Sequence, residues 1–241
     1  MKLTLKFMAF TLAETLIVIG VIGIVSALTL PNLNSSTGDK EKVAKVEKIY
    51  QNLNDAFSRA EAVYGPFDTW FVNDTDEQKI TRFGERLTEF MKVSKNCETT
   101  NGQGCFSSSK VFNLKSSGDF SDSLDSKDKW YRFITADGTS VALATDLHEI
   151  FVDIDGSTKG KNKMGNDIFM FTINESSGIV PSGLDQSFTN LLSDLNTAGS
   201  YAAAWIVKYD NADYLKISSV SGATATCTNQ NTMNESNPRC K

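Results

Sequence analysis

Residues 10–30, FTLAETLIVIGVIGIVSALTL, carry one charged side chain, Glu14, in an otherwise apolar run. No other stretch constrains the chain so strongly. At about 1.5 Å per residue the run spans about 31 Å as a helix, which matches a hydrocarbon core of about 30 Å. The residues before it, MKLTLKFMA, include Lys2 and Lys6. A short basic leader stays on the cytoplasmic side of a membrane, so the bulk after the run is expected outside.

Two ordinary readings of such a run compete. A secretory signal peptide wants a shorter apolar region followed by a small-x-small cleavage site. Here the run continues through Pro31 into a second helical pattern. A static membrane anchor has no use for a carboxylate near the start of its apolar stretch. Such a group costs about 2.5–3.5 kcal/mol at the centre of a membrane helix and less near an end. Glu14 therefore marks a functional position that needs a partner.

The residues Ala9–Phe10–Thr11–Leu12–Ala13–Glu14, the apolar run to Leu30, and then Pro31–Asn32–Leu33 resemble the N-terminal signature of type IV pilins and type II secretion pseudopilins. In that family a prepilin peptidase cuts before the Phe and methylates the new amine. The Glu is the fifth mature residue and a Pro is commonly the twenty-second; counted from Phe10, Glu14 is fifth and Pro31 twenty-second. The residue before the cut is usually Gly, and Ala9 departs from that while remaining small. The resemblance implies cleavage between Ala9 and Phe10, methylation of Phe10, and assembly through Glu14 and Pro31. It implies as partners other copies or other pilin-like subunits in a helical fibre, the prepilin peptidase, an inner-membrane assembly platform and inner-membrane lipid. It places the chain in a bacterial inner membrane as a single-pass protein with its head outside the cytoplasm. From there it would enter a pilus or pseudopilus in the periplasm or on the cell surface.

Electrostatics agrees with that scheme. Cleavage leaves a positive amine on Phe10 in lipid, and Glu14 of one subunit can pair with the amine of its neighbour. Two charges that are costly alone become tolerable together, and a slipped register leaves both unpaired. Gly20 and Gly23 are small positions where neighbouring helices can approach closely.

After the apolar run, Pro31 lacks a backbone donor and is expected to bend the helix. Residues 34–38, NSSTG, read as a loop. Apolar residues then recur three and four apart at Val43, Val46, Tyr50, Leu53, Phe57, Ala60 and Tyr64, one stripe of an amphipathic helix over 39–64 that Gly65–Pro66 ends. A second helix is expected over 76–95. Residues 96–118 read as a polar loop and 119–129 as a charged, exposed one. Strand patterns follow at 130–135, 140–145, 148–154 and 167–173, and Asp137–Gly138 is a strong hairpin signal between the first two. A short helix is expected over 187–196, and 204–209 and 214–217 read as late strands or a mixed element. The expected fold is α+β: a long N-terminal helix, half membrane anchor and half amphipathic, packed on an antiparallel sheet in a pilin-like head. The expected divisions are a leader 1–9, a transmembrane and polymerisation helix 10–30, and an extracytoplasmic head 31–241 whose globular part is 65–241.

Four cysteines form two local pairs, Cys97/Cys105 and Cys227/Cys240. In a chain that leaves the cytoplasm an even count points to disulfides. Three connectivities are open, of which the two local bridges are favoured over free thiols or a single bridge. The loop FVDIDGSTKGKNKMGNDIF over 151–169 offers Asp153, Asp155, Asn162 and Asp167, hard oxygen ligands near Gly turns of the kind calcium favours. It lacks the third acid and the terminal Glu of an EF-hand loop, and three lysines lie among these residues. The simpler reading is a hairpin whose Asp and Asn side chains bond their own turn.

Nothing points to an enzyme. The single histidine, His148, sits at the edge of a strand pattern, and the common nucleophile, phosphate-loop and metalloprotease motifs are absent. The net charge of −5, with no Lys- or Arg-rich run, disfavours nucleic acid as a partner. The remaining alternative to a fibre subunit is a static membrane-anchored adhesion or binding protein. A static anchor does not require the Ala9, Phe10 and Glu14 register.

Overall fold

A computed structural model describes residues 12–145, 147–174 and 178–240, and of residues 26–37 it describes the backbone alone. The chain divides into two compact units, Met1–Glu41 and Lys42–Lys241. Helix α1 (Leu12–Tyr64) has residues in both.

In the larger unit, α1 offers a stripe that includes Val46, Ile49, Leu53, Phe57 and Ala60, all buried in the main core. Tyr50 is only partly buried, and Tyr64 at the end of the stripe is exposed. Gly65, at φ +85°, turns the chain out of the helix. Helix α2 (Asp76–Glu89) opens with a capping box in which Thr75 and Gln78 satisfy each other's backbone N–H. It buries Ile80, Phe83, Gly84 and Leu87. Gly84 is needed for its closeness to the sheet: a Cβ there would lie 2.3 Å from the ring of Tyr131.

The main sheet comprises β1 (Val93–Glu98), β4 (Tyr131–Thr135), β5 (Ser140–Leu143), β6 (Glu149–Asp153), β7 (Ile168–Asn174) and β8 (Gly178–Pro181), in that order and antiparallel throughout. Two short strands, β2 (Val111–Phe112) and β3 (Asp119–Ser121), pair separately. Helices α3 (Phe188–Leu195) and α4 (Ala202–Tyr209) precede a small sheet of β9 (Ile217–Ser221), β10 (Thr224–Cys227) and β11 (Thr232–Asn234), ordered β11-β10-β9.

Strand side chains alternate between two covered faces. Tyr131, Phe133, Val141, Leu143, Ile150 and Phe171 join α1 to α4 in the main core. Ala142, Phe151, Ile168 and Met170 face a second cluster with Cys97, Cys105, Phe106 and Leu124. Irregular chain between β1 and β4 thus covers a face that would otherwise be wet.

The expected fold class needs correction. A long helix, half membrane anchor and half amphipathic, packed on a pilin-like sheet is not found. Among the described residues no helix is long and apolar enough to cross a membrane. The expected span 10–30 lies partly outside the described residues. The stretch that packs on the sheet begins at Val43, where the apolar stripe begins, and the helices after α1 are short. What holds of the expectation is an α+β chain with a large antiparallel sheet. Residues 34–38, expected as a loop, have helical backbone. Residues 204–209, expected as a strand or mixed element, lie in α4.

Candidate functional site

Ala9 and Phe10, the residues of the expected cleavage, lie outside the described residues. Glu14 stands in the first turn of α1. Around it Leu12, Leu16, Ile17 and Val18 are more than half exposed, and so are Ile22 and Ile24 further along. A Cβ built on Gly20 or Gly23 meets nothing within 4 Å. This surface is apolar on every side of the helix and carries one carboxylate. Contiguous exposed apolar surface of this kind marks a protein or membrane contact. Pro31 lies within α1, among the residues described by backbone alone.

The 153–167 loop brings its oxygen-bearing side chains to its own turns. Asp153, at the end of β6, is fully buried. Its Oδ1 accepts from the backbone N–H of Asp155 at 3.0 Å and of Gly156 at 3.1 Å, while Oδ2 has no hydrogen-bond partner. Burial pushes its pKa up to about 7, against the pull of those two N–H groups, and the charges of Asp167 and Asp155 add to the rise. Asp155 pairs with Lys45 of α1 at 3.5 Å. Asn162 adopts φ +50° and donates through Nδ2 to the Ser109 carbonyl at 3.2 Å. Asp167 Oδ2 accepts from the backbone N–H of Lys161 at 2.5 Å and of Lys163 at 3.4 Å. The structure thus brings Asp153 and Asp167 together, and turns Asp155 to a lysine and Asn162 to a neighbouring strand connection. Among the described residues no group of three or more His, Cys, Asp and Glu side chains is placed to hold a metal ion.

Asp153 makes stability depend on pH. Its pKa in the folded chain lies above the ordinary carboxylate value, so folding favours the protonated form. That stabilisation is complete below about pH 4 and is lost as pH rises through about 7. The chain is therefore expected to be less stable at about pH 8 than at about pH 5, by on the order of a few kcal/mol. Asp153→Asn keeps the oxygen that receives the two N–H groups and should flatten the dependence. Denaturant melts at the two pH values measure it; equal slopes for the two proteins would contradict the assignment.

Both cysteine pairs are bonded locally, Cys97–Cys105 and Cys227–Cys240. Disulfides form and persist in oxidising compartments, which points outside the cytoplasm. The first bond sits in the cover over the second sheet face. Beside it lies a polar cluster that the sequence did not reveal. Asp125, expected in an exposed stretch, is buried and accepts from the N–H groups of Gly104, Cys105 and Phe106 at 3.0, 3.1 and 3.1 Å. Arg132, fully buried in β4, donates to the carbonyls of Leu124, Trp130 and Lys127 and to Asn101 Oδ1. Burial lowers its pKa, and Asp125 and Asp128 pull it back up. Its alternation with Tyr131 and Phe133 was the available sign that Arg132 faces the opposite side of the sheet.

His148 is exposed beside a cleft lined by Phe67, Asp68, Phe71 and Lys79. Trp70 and Trp205 belong to the main core, and Trp130 stacks on Phe151 at 5.4 Å. No family model, no curated protein and no solved structure matches the chain.

Proposed function

We propose that the chain is a structural subunit of a type IV pilus or type II secretion pseudopilus. A prepilin peptidase cleaves it between Ala9 and Phe10 and methylates Phe10. It then assembles with its own kind or with other pilin-like subunits through its N-terminal apolar segment. Before assembly it is held in the inner membrane with its larger unit outside the cytoplasm.

The observation that carries this reading is the register of Ala9, Phe10, Glu14 and Pro31 in one apolar run. Two features support it. The described part of that run exposes apolar side chains around its single carboxylate, as a segment meant to be buried by lipid and by neighbouring subunits must. Two disulfides suit a head outside the cytoplasm. Glu14 serves as the counter-charge for the methylated amine of the next subunit and so fixes the axial step. Co-expression with a prepilin peptidase tests the reading. The chain should lose residues 1–9 when the peptidase is active and keep them when it is inactive. A chain that stays full length beside an active peptidase is a static anchor.

A further inference from the structure

The Lys42 ammonium, at the start of the larger unit, donates to Asn166 Oδ1 at 2.6 Å, in a half-buried contact between residues 124 apart in sequence. The other end of the same carboxamide is also held: Asn166 Nδ2 donates to Asp167 Oδ1. The two contacts fix which end of the amide is oxygen, since an ammonium needs an acceptor and a carboxylate needs a donor. Asp167 is itself held in place. It is 3% exposed, and its second oxygen receives the N–H groups of Lys161 and Lys163. Gly160, at φ +78°, lets the backbone close over it, because a Cβ there would lie 2.9 Å from the carboxyl carbon. An amine, a carboxamide and a carboxylate thus stand in a row.

We propose that Lys42 and Asn166 are a modification site, joined by an isopeptide bond that forms with loss of ammonia. Lys42 Nζ, after losing one proton to water, attacks Cγ of Asn166. The Nζ–Cγ bond forms, the second proton passes from Nζ through the Asp167 carboxylate to Nδ2, and the Cγ–Nδ2 bond breaks. Ammonia leaves and takes up the first proton as ammonium. No oxidant, reductant or further reactant enters, and the charge of Lys42 departs with the ammonium. Holding reactants in contact makes the step effectively unimolecular, the source of large rate gains in positioned reactions. The bond ties the first turn of the larger unit to the β6–β7 connection. It is independent of whether the chain polymerises.

Mass spectrometry of the full chain with its disulfides reduced tests this. The chain should be lighter than its sequence by one ammonia. Trypsin should fail to cut after Lys42 and should yield a branched product joining residues 41–45 to the peptide that begins at Met164. Lys42→Arg and Asn166→Ala should each restore the full mass and the linear peptides. An unmodified mass with cleavage after Lys42 overturns the proposal. So does loss of ammonia with normal cleavage after Lys42, because that assigns the loss to cyclisation of Asn166 on its own backbone.

Discussion

Glu14→Ala protein is expected to fold its larger unit as the unaltered chain does, to be cleaved normally, and yet to be missing from assembled fibres. Glu14 belongs to the unit Met1–Glu41, whereas the sheet and both disulfides lie in Lys42–Lys241. Its replacement therefore should not move the melting midpoint of the head. On the proposed function, membrane insertion should become easier, since a carboxylate would leave the lipid, and what would be lost is the partner of the neighbour's amine. Removing one member of a desolvated charge pair costs about 3–5 kcal/mol, because the other charge stays buried alone. At about 1.4 kcal/mol per tenfold, that is a loss of at least a hundredfold in association at each step. Glu14→Gln keeps the size and removes the charge, and it should fail equally if the pairing is ionic. The measurement is the amount of each variant in a sheared fibre fraction, alone and with the unaltered chain present. Incorporation equal to the unaltered chain would refute the pairing.

Asp125→Ala is expected to be the most damaging single change in the cover of the second sheet face. One carboxylate holds three consecutive N–H groups there, at 3.0, 3.1 and 3.1 Å. It also faces a fully buried Arg132 whose charge burial disfavours. Truncation strands the N–H groups in a site closed by Leu124, Phe106 and the Cys97–Cys105 bond. A buried donor left without its charged acceptor loses about 1–3 kcal/mol, and for three sharing one carboxylate we expect about 3 kcal/mol in total. For a unit of this size that lowers the melting midpoint by roughly 6–12 °C. Asp125→Asn retains one oxygen and should lose less. Thermal melts of the detergent-solubilised chain decide the matter; a shift below about 2 °C for Asp125→Ala would mean that water replaces the carboxylate.

These two sites differ in how plainly the sequence announces them. Glu14 stands out because every neighbour is apolar. Asp125 sits among serines, lysines and other aspartates, and nothing local separates a buried anchor from a solvated one. The four middle strands were legible because Tyr131 to Ile173 alternate between two sets of side chains, and Asp137–Gly138 supplies the turn, with Gly138 at φ +88°. Burial on both faces was not legible, since the second face is covered by irregular chain without a period. Helix α4 was misread because Ala202 to Ile206 are buried on all sides, which erases the helical stripe. Its three consecutive alanines, strong helix formers, were the signal to weigh instead. Strand β1 exposes Ser94, Lys95 and Asn96 at a sheet edge and reads as polar helix or loop. The oxygen-rich loop was legible in composition alone. Only geometry tells that Asp155 goes to Lys45 and Asn162 to Ser109. The membrane-anchor half of the helix was over-read: among the described residues no helix is long and apolar enough to cross a membrane, and what packs on the sheet is the stripe from Val43.

The central claim is processing at one bond, and the N-terminus of the chain isolated from cells that carry an active prepilin peptidase tests it directly. Mass spectrometry of the N-terminal peptide should find a first residue Phe10 bearing one methyl group on its amine, with residues 1–9 gone. A chain that keeps Met1 while an active prepilin peptidase is present would contradict the account.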